Sequence, residues 1–240
     1  MNLQIFQKGF NYGQDGRGNR LVYHLQGCNL ACPWCSNPEG MAMAGGSAVP
    51  IAELLEEILS AEPLFFDGGG VTFTGGEPTV QAEALLSLLR ELKRRDIHTA
   101  LETNAVSPRL PELLPFVDQL MMDVKHYDSG AHREWTGVGN EQVVENLHGA
   151  IASGKVVDVR IPLIAGFNAA KPDIAGFVEL FSPLDRSRFT VELLPYHEYG
   201  RGKWEKLGLP YELGGAYADA EILAEFRDVF TQNGIKIIKT

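Results

Sequence analysis

Three cysteines, Cys28, Cys32 and Cys35, stand together in QGCNLACPWCSNPE (26–39), and the chain has no others. Thiolates at C-x3-C-x2-C spacing on one loop can converge on a single metal centre, whereas structural cysteines scatter through a core. Zinc needs a fourth ligand to close its tetrahedron, and His126, His132, His148 and His197 are candidates. The second half usual in zinc motifs, another C-x2-C or C/H pair, is absent. A [4Fe–4S] cluster normally takes four thiolates. Three leave one iron open to a small ligand, which gives the odd count a chemical meaning. Further along, GGGVTFTGGEP places Gly75, Gly76 and Glu77 just past a strand. Glycines there allow close backbone approach, and a carboxylate can accept a hydrogen bond from an ammonium; the plain alternative is a tight turn with a solvated glutamate. Glu102 and Asp123 end two buried-looking strands, with Thr103 and Lys125 beside them. Ionised carboxylates are expensive there unless paired or bound to a cation, so a Lys125 salt bridge competes with a cation site. Arg160 in VRIPLI reads equally as half of an ion pair, and His197 in LLPYHEYG as an ordinary core or surface histidine.

The elements that position these residues alternate. RLVYHLQ (20–26), GVTFTGG (70–76), HTALETN (98–104), QLMMDVK (119–125), VVDVRIPLI (156–164), FTVELLPYH (189–197) and IKIIK (235–239) read as strands. Helical spacing appears at Leu54, Leu55, Ile58 and Leu59, and again at Leu85, Leu86, Leu89 and Leu92. It recurs at Val144, Leu147 and Ile151, with Gly154 as the stop, and at Leu223, Phe226 and Phe230. Short apolar strands alternating with amphipathic helices imply parallel βα units with helices outside the sheet. Six or seven units are too few for a closed eight-fold barrel. The fold expected is α/β, an open, partial TIM-like barrel, with a doubly wound sheet as the alternative. Either fold puts chemistry at the C-terminal ends of the strands, where the cysteine loop, GGEP, ETN, DVKH and PYH all fall.

At 240 residues the chain can bury a substantial core. Its opening residues lack the apolar stretch and cleavage site of a signal peptide, and no uncharged apolar run approaches membrane-spanning length. A net charge of −10 argues against nucleic acid or an anionic membrane as the bulk partner. Three clustered cysteines cannot complete a disulfide set, so a reducing, cytoplasmic setting is expected.

With Trp34 at the aromatic position, the cysteine loop resembles the C-x3-C-x-φ-C signature of the radical S-adenosylmethionine (radical SAM) superfamily. The resemblance implies one [4Fe–4S] cluster on Cys28, Cys32 and Cys35, with SAM chelating its open iron through the amino and carboxylate groups. Gly75, Gly76 and Glu77 then match the second motif, which holds the SAM amino group. DGRGNRLVYHLQGCNLACPWCSNPE, LETN, LMMDVKHYD, EWTGVGN, VRIPLIAGFN and LLPYHEYGRGKWEKLG narrow the likeness to the glycyl-radical-enzyme activating enzymes, in particular those of pyruvate formate-lyase. That family implies a partial (β/α)6 barrel and a SAM pocket lined by Asn37, Glu102, Asp123, Lys125, Arg160 and His197. It also implies a monovalent-cation site, Na+ or K+, made by Glu102, Thr103, Asp123 and the Met121 carbonyl, and it sets Asp15 near the incoming glycine loop. The implied partners are a glycyl radical enzyme and, as electron donor, a flavodoxin or ferredoxin. The central step needs no protein acid or base, so no residue is assigned as catalytic. Glu102 stands where the family has aspartate, and DGRGNR replaces DGPGIR. CSNPEG resembles the branch acting on choline lyase, glycerol dehydratase and hydroxyphenylacetate decarboxylase, which normally carries an inserted ferredoxin-like domain. With no spare cysteine, residues 1–240 are expected to form one radical SAM domain without that insert. The alternatives are a radical SAM enzyme with a small-molecule or peptide substrate, and a structural zinc-binding interaction module.

Overall fold

The computed structural model describes residues 1–239. They form two compact units, one made of 1–29 with 37–121 and the other of 30–36 with 122–239.

The first unit contains β1 (Asn2–Tyr12), β2 (Asn19–Leu25), β3 (Ser47–Pro50), α1 (Ile51–Ala61), β4 (Gly70–Gly75), α2 (Ala82–Arg94), β5 (Thr99–Thr103) and the single turn α3 (Leu110–Leu113). Its strands lie in the order β3-β1-β2-β4-β5. β1 runs antiparallel to β2 and β3, while β2, β4 and β5 are parallel. Alternation divides the parallel strands into two faces. Tyr23 and Phe73 stack at 5.9 Å on one, and the Tyr23 hydroxyl donates to Glu57 of α1. This face is therefore covered by helices. The other carries Arg20, Thr72, Thr74 and Glu102, and Thr74 Oγ1 donates to Glu102 at 3.0 Å. α2 buries Leu85, Leu88, Leu89 and Leu92. Leu88 takes the place the sequence reading gave to Leu86, since both fit a helical stripe until the facing strand fixes its direction. In register, Leu25 opposes Gly75, so the cysteine loop and the GGE turn leave the sheet side by side.

β6 (Gln119–Asp123) begins in the first unit and ends in the second. The second unit continues with α4 (Ser129–Thr136), α5 (Glu141–Ala152), β7 (Val157–Leu163), α6 (Lys171–Phe181), β8 (Phe189–Pro195), α7 (Arg201–Lys206), α8 (Ala220–Gln232) and β9 (Ile237–Ile238). β7, β8 and β9 are parallel, and the Val124 amide donates to the Arg160 carbonyl at 2.9 Å. Phe189 of β8 packs on Phe181 of α6, which meets Phe230 of α8 edge-on. The opposite face is polar: Thr190 donates to Asp158 at 2.8 Å, and Arg160 to Glu192 at 2.9 Å. Gly154 ends α5 with φ +87°, as its position predicts.

Three strands differ from the sequence reading, the four-residue β3 being one it does not contain. β1 spans eleven residues that carry little strand signal, because Gln7 to Phe10 are all exposed and only Leu3 and Ile5 are buried. The last strand shrinks to two residues. No helix among the described residues is long and apolar enough to cross a membrane.

Candidate functional site

In the second unit, Cys32, Pro33, Trp34 and Cys35 form a turn closed by the Cys35 amide donating to the Cys32 carbonyl at 3.1 Å. Pro33 holds its second position, where a fixed φ favours the turn. Cys32 is buried and Cys35 half-buried. Trp34 packs on Phe167 with ring centroids 4.9 Å apart and lies 6.1 Å from Trp135. The Ala31 amide donates to the Thr136 carbonyl at 2.9 Å. Trp34 and EWTGVGN thus hold the loop itself.

Cys28 belongs to the first unit, where it is half-buried beside the GGE turn. The turn and the loop interlock through the backbone. Gly76 N–H donates to Leu25 O at 2.9 Å and Glu77 N–H to Gly27 O at 2.7 Å. Gly75 has φ +120°, and a β-carbon on Gly76 would collide with the carbonyl oxygens of Gly27 and Gly40. Both glycines are there for space and conformation.

Glu77 is fully buried. Its Oε1 accepts from the Thr79 amide (2.9 Å), the Thr79 hydroxyl (2.6 Å) and the Thr103 hydroxyl (2.7 Å), and its Oε2 from the Asn104 amide (2.7 Å). Burial pushes the carboxyl above the usual carboxylate range, while the bonds from Thr79, Thr103 and Asn104 oppose that. Glu77 therefore ties the GGE turn to the end of β5. Thr103, read from the sequence as a cation ligand, is drawn into the same network and also accepts from the Ala105 amide at 3.0 Å. Asn104, the last residue of LETN, has no role that its sequence context announces. Its Nδ2 donates to Asn29 Oδ1 at 2.7 Å and approaches Cys28 Sγ at 3.8 Å. An N–H aimed at sulfur favours the thiolate, the form that binds iron. Among the remaining assigned residues of this unit, Met121 is buried on β6, and the Asn37 carbonyl accepts from the Gly40 amide at 3.0 Å. Asp15 lies at the other end of β2 from Cys28, in the turn before that strand. There its carbonyl accepts from Thr72 Oγ1 at 2.7 Å and its carboxylate from Asn11 Nδ2, beside the buried Arg20.

Of the four remaining sequence-assigned side chains of the second unit, Asp123 ends β6, Lys125 and His197 lie just beyond β6 and β8, and Arg160 sits in the middle of β7. Lys125 Nζ pairs with Asp123 Oδ2 at 2.5 Å, the salt bridge weighed as one reading of these residues. Arg160 pairs with Glu192, its direct cross-strand neighbour, and both are almost wholly buried. Glu192 was not singled out from the sequence; an acid inside the apolar run FTVELLP was its only signal. His197 is half-buried, stacks on Tyr199 at 4.1 Å, and accepts from the Tyr199 amide. Burial holds its pKa below the ordinary imidazole value, which keeps it neutral near pH 7. Among the described residues, no three His, Cys, Asp or Glu side chains form a ready site for a single metal ion. The donor set itself, three cysteines on one short loop with an N–H near Cys28 Sγ, fits an iron–sulfur cluster.

The profile of the Radical SAM superfamily matches residues 22–178. The chain belongs to the radical SAM superfamily. This radical SAM chain is 37% identical over 202 residues to a pyruvate formate-lyase-activating enzyme of Clostridium pasteurianum, covering 83% of this chain and 84% of the relative. It is 32% identical to a choline trimethylamine-lyase activating enzyme of Oleidesulfovibrio alaskensis, with 87% and 88% covered. That alignment spans 274 positions, more than the 240 residues here, so the relative carries residues without a counterpart in this chain. The chain thus stands among the glycyl-radical-enzyme activating enzymes of the superfamily. A radical SAM methyltransferase of Sphaerobacter thermophilus shares the fold, with a TM-score of 0.68 at 16% identity over 95% of this chain and 67% of the other. The fold is α/β with a sheet that does not close, the partial-barrel class expected from the sequence.

Proposed function

We propose that the chain activates a glycyl radical enzyme of the pyruvate formate-lyase kind, removing a hydrogen atom from a glycine of that partner. Cys28, Cys32 and Cys35 would hold one [4Fe–4S] cluster with an open iron for SAM. When bound, cluster and SAM together supply reductive cleavage to methionine and the 5′-deoxyadenosyl radical that takes the hydrogen.

The chain's own residues position and enclose. Gly75 and Gly76 bring the second motif against the cysteine loop, and Glu77 locks that turn to β5 from beneath. Asn37, Glu102, Asp123, Lys125, Arg160 and His197 are the residues for SAM's polar groups. Neutral His197 suits an uncharged ring partner, and Lys125 and Arg160 suit a carboxylate. A Na+ or K+ ion on Glu102, Thr103, Asp123 and the Met121 carbonyl completes the reading, with Asp15 toward the partner's glycine loop. Residues 1–240 act as one radical SAM domain in the cytoplasm, reduced by a flavodoxin or ferredoxin.

The observation that carries this is the interlock of the segment leading into Cys28 with the GGE turn, made by Gly76 N–H to Leu25 O and Glu77 N–H to Gly27 O. Anaerobic reconstitution with iron and sulfide is expected to give about four irons per chain. Under reductant, SAM should yield 5′-deoxyadenosine, and a lyase partner should gain a glycine-centred electron-spin signal. Zinc uptake without iron or sulfide overturns the cluster. Deoxyadenosine formed without a spin signal on any lyase partner would overturn the substrate class.

A further inference from the structure

Within the motif EYGRGKWEKLG, Gly200 and Trp204 have no part in the chemistry above, yet both lie on the backbone of Cys35. Gly200 is buried with φ −75° and ψ −20°, a conformation open to any residue. What excludes a side chain is space: a β-carbon there would collide with the Cys35 carbonyl oxygen and sit 2.9 Å from Ser36 Cα. Four residues on, the indole N–H of Trp204 donates to that same carbonyl at 2.9 Å.

The indole is itself held. The Trp204 backbone amide donates to Gly200 O at 3.1 Å, and the indole ring meets Tyr211 edge-on at 5.9 Å. Tyr211 and Tyr196 share a hydroxyl–hydroxyl bond of 2.8 Å, and the Tyr196 hydroxyl also donates to the Leu213 carbonyl. The Tyr196 amide donates to Leu163 O at the end of β7. A continuous chain of contacts thus runs from a strand end through two tyrosines and an indole to one cysteine. It also passes the neighbour of Tyr196, His197.

We infer that Gly200 and Trp204 form a clamp on the Cys35 carbonyl, which makes Trp204 a positioning residue for the third cluster thiolate. The inference rests on the cluster reading above. A peptide carbonyl beside an anionic centre is a negative dipole; an N–H that saturates it fixes the cysteine's direction and eases reduction of the centre. Hydrogen bonding around the ligands is a recognised means of setting such potentials.

Two substitutions separate donor from bulk. Trp204→Phe keeps an aromatic ring and removes the N–H. Trp204→His loses the benzo ring but keeps a five-membered ring with an N–H the same number of bonds from Cβ. In the iron-free chain, amide exchange over residues 32–37 is expected to rise about five-fold in Trp204→Phe, the scale of one lost neutral hydrogen bond, and to return toward wild type in Trp204→His. In the loaded protein, the cluster potential should become more negative in Trp204→Phe and recover in Trp204→His. Gly200→Ala should release iron to a chelator several-fold faster than wild type. Iron bound normally with both Trp204 variants matching wild type overturns the clamp, as does a histidine variant that behaves like phenylalanine. An exchange effect with unchanged potential overturns the positioning role. A wild-type chain that takes up no iron is a different failure, that of the cluster reading itself.

Discussion

At the scale of single residues, Glu77 shows how a binding motif is also a structural device. Its carboxylate accepts four hydrogen bonds from Thr79, Thr103 and Asn104 while wholly buried. A glutamine of the same shape has one acceptor oxygen and an NH2 that cannot accept. Placed so that Oε1 still serves Thr79 and Thr103, it would turn N–H groups toward the Asn104 amide. Glu77→Gln is therefore expected to destabilise the iron-free chain by about 1–3 kcal/mol, the cost of leaving a buried donor unmet. Denaturant unfolding measures it, and a variant as stable as wild type would remove Glu77 from this structural role. The cysteine loop, the glycines and Glu77 were legible because chemistry concentrates their residue types at short spacing. Asn104 and Trp204 were not: each acts on a cysteine distant in sequence, through contacts that only the folded loops create.

At the scale of elements, the pairing of β7 with β8 sets Arg160 directly opposite Glu192, on the face away from the aromatic helix packing. Removing one member of a buried pair strands the other charge, which costs about 3–5 kcal/mol, whereas replacing both is far milder. Arg160→Met should lose stability on that scale, and Arg160→Met with Glu192→Leu should regain most of it. SAM affinity separates the two roles of Arg160, for the double variant recovers stability without recovering binding if the guanidinium also meets the ligand. Equilibrium unfolding and SAM titration on the same proteins decide the matter. This pairing was hidden in the sequence, since the register of strands some thirty residues apart has no local signature. The parallel strands themselves were readable from apolar runs bounded by glycine and turn residues. β1 escaped because its exposed middle lacks alternation: β2 and β3 pair with its backbone from end to end, but only the Leu3 and Ile5 side chains are buried.

At the scale of the whole molecule, pH tests how the polar interior is held. His98, His126, His132 and His197 all have pKa values below the ordinary imidazole value, each chiefly through burial. His98 is lowered further by Arg20, against Asp118; His126 and His132 are partly restored by the carbonyls of Phe167 and Val138. Between those lowered values and about 6.5, the unfolded chain takes up protons that the folded chain refuses. The histidine contribution is thus complete above about pH 6.5 and is lost as pH falls below it. Glu77 acts in the opposite sense, because its raised pKa makes the folded chain the better proton acceptor above the ordinary glutamate range. The net charge of −10 also favours acidification, through relief of self-repulsion. Salt separates these effects, as a few tenths molar screens surface charges and leaves buried groups largely untouched. In such salt, the melting midpoint of the iron-free chain should hold steady from pH 8 to 7 and fall between 6.5 and 5.5. His132→Gln should flatten that fall, since His132 is almost wholly buried and its ring is the one with least access to water. A midpoint that rises through the same interval in high salt would mean that carboxyl protonation, not histidine burial, governs the acid side of this fold.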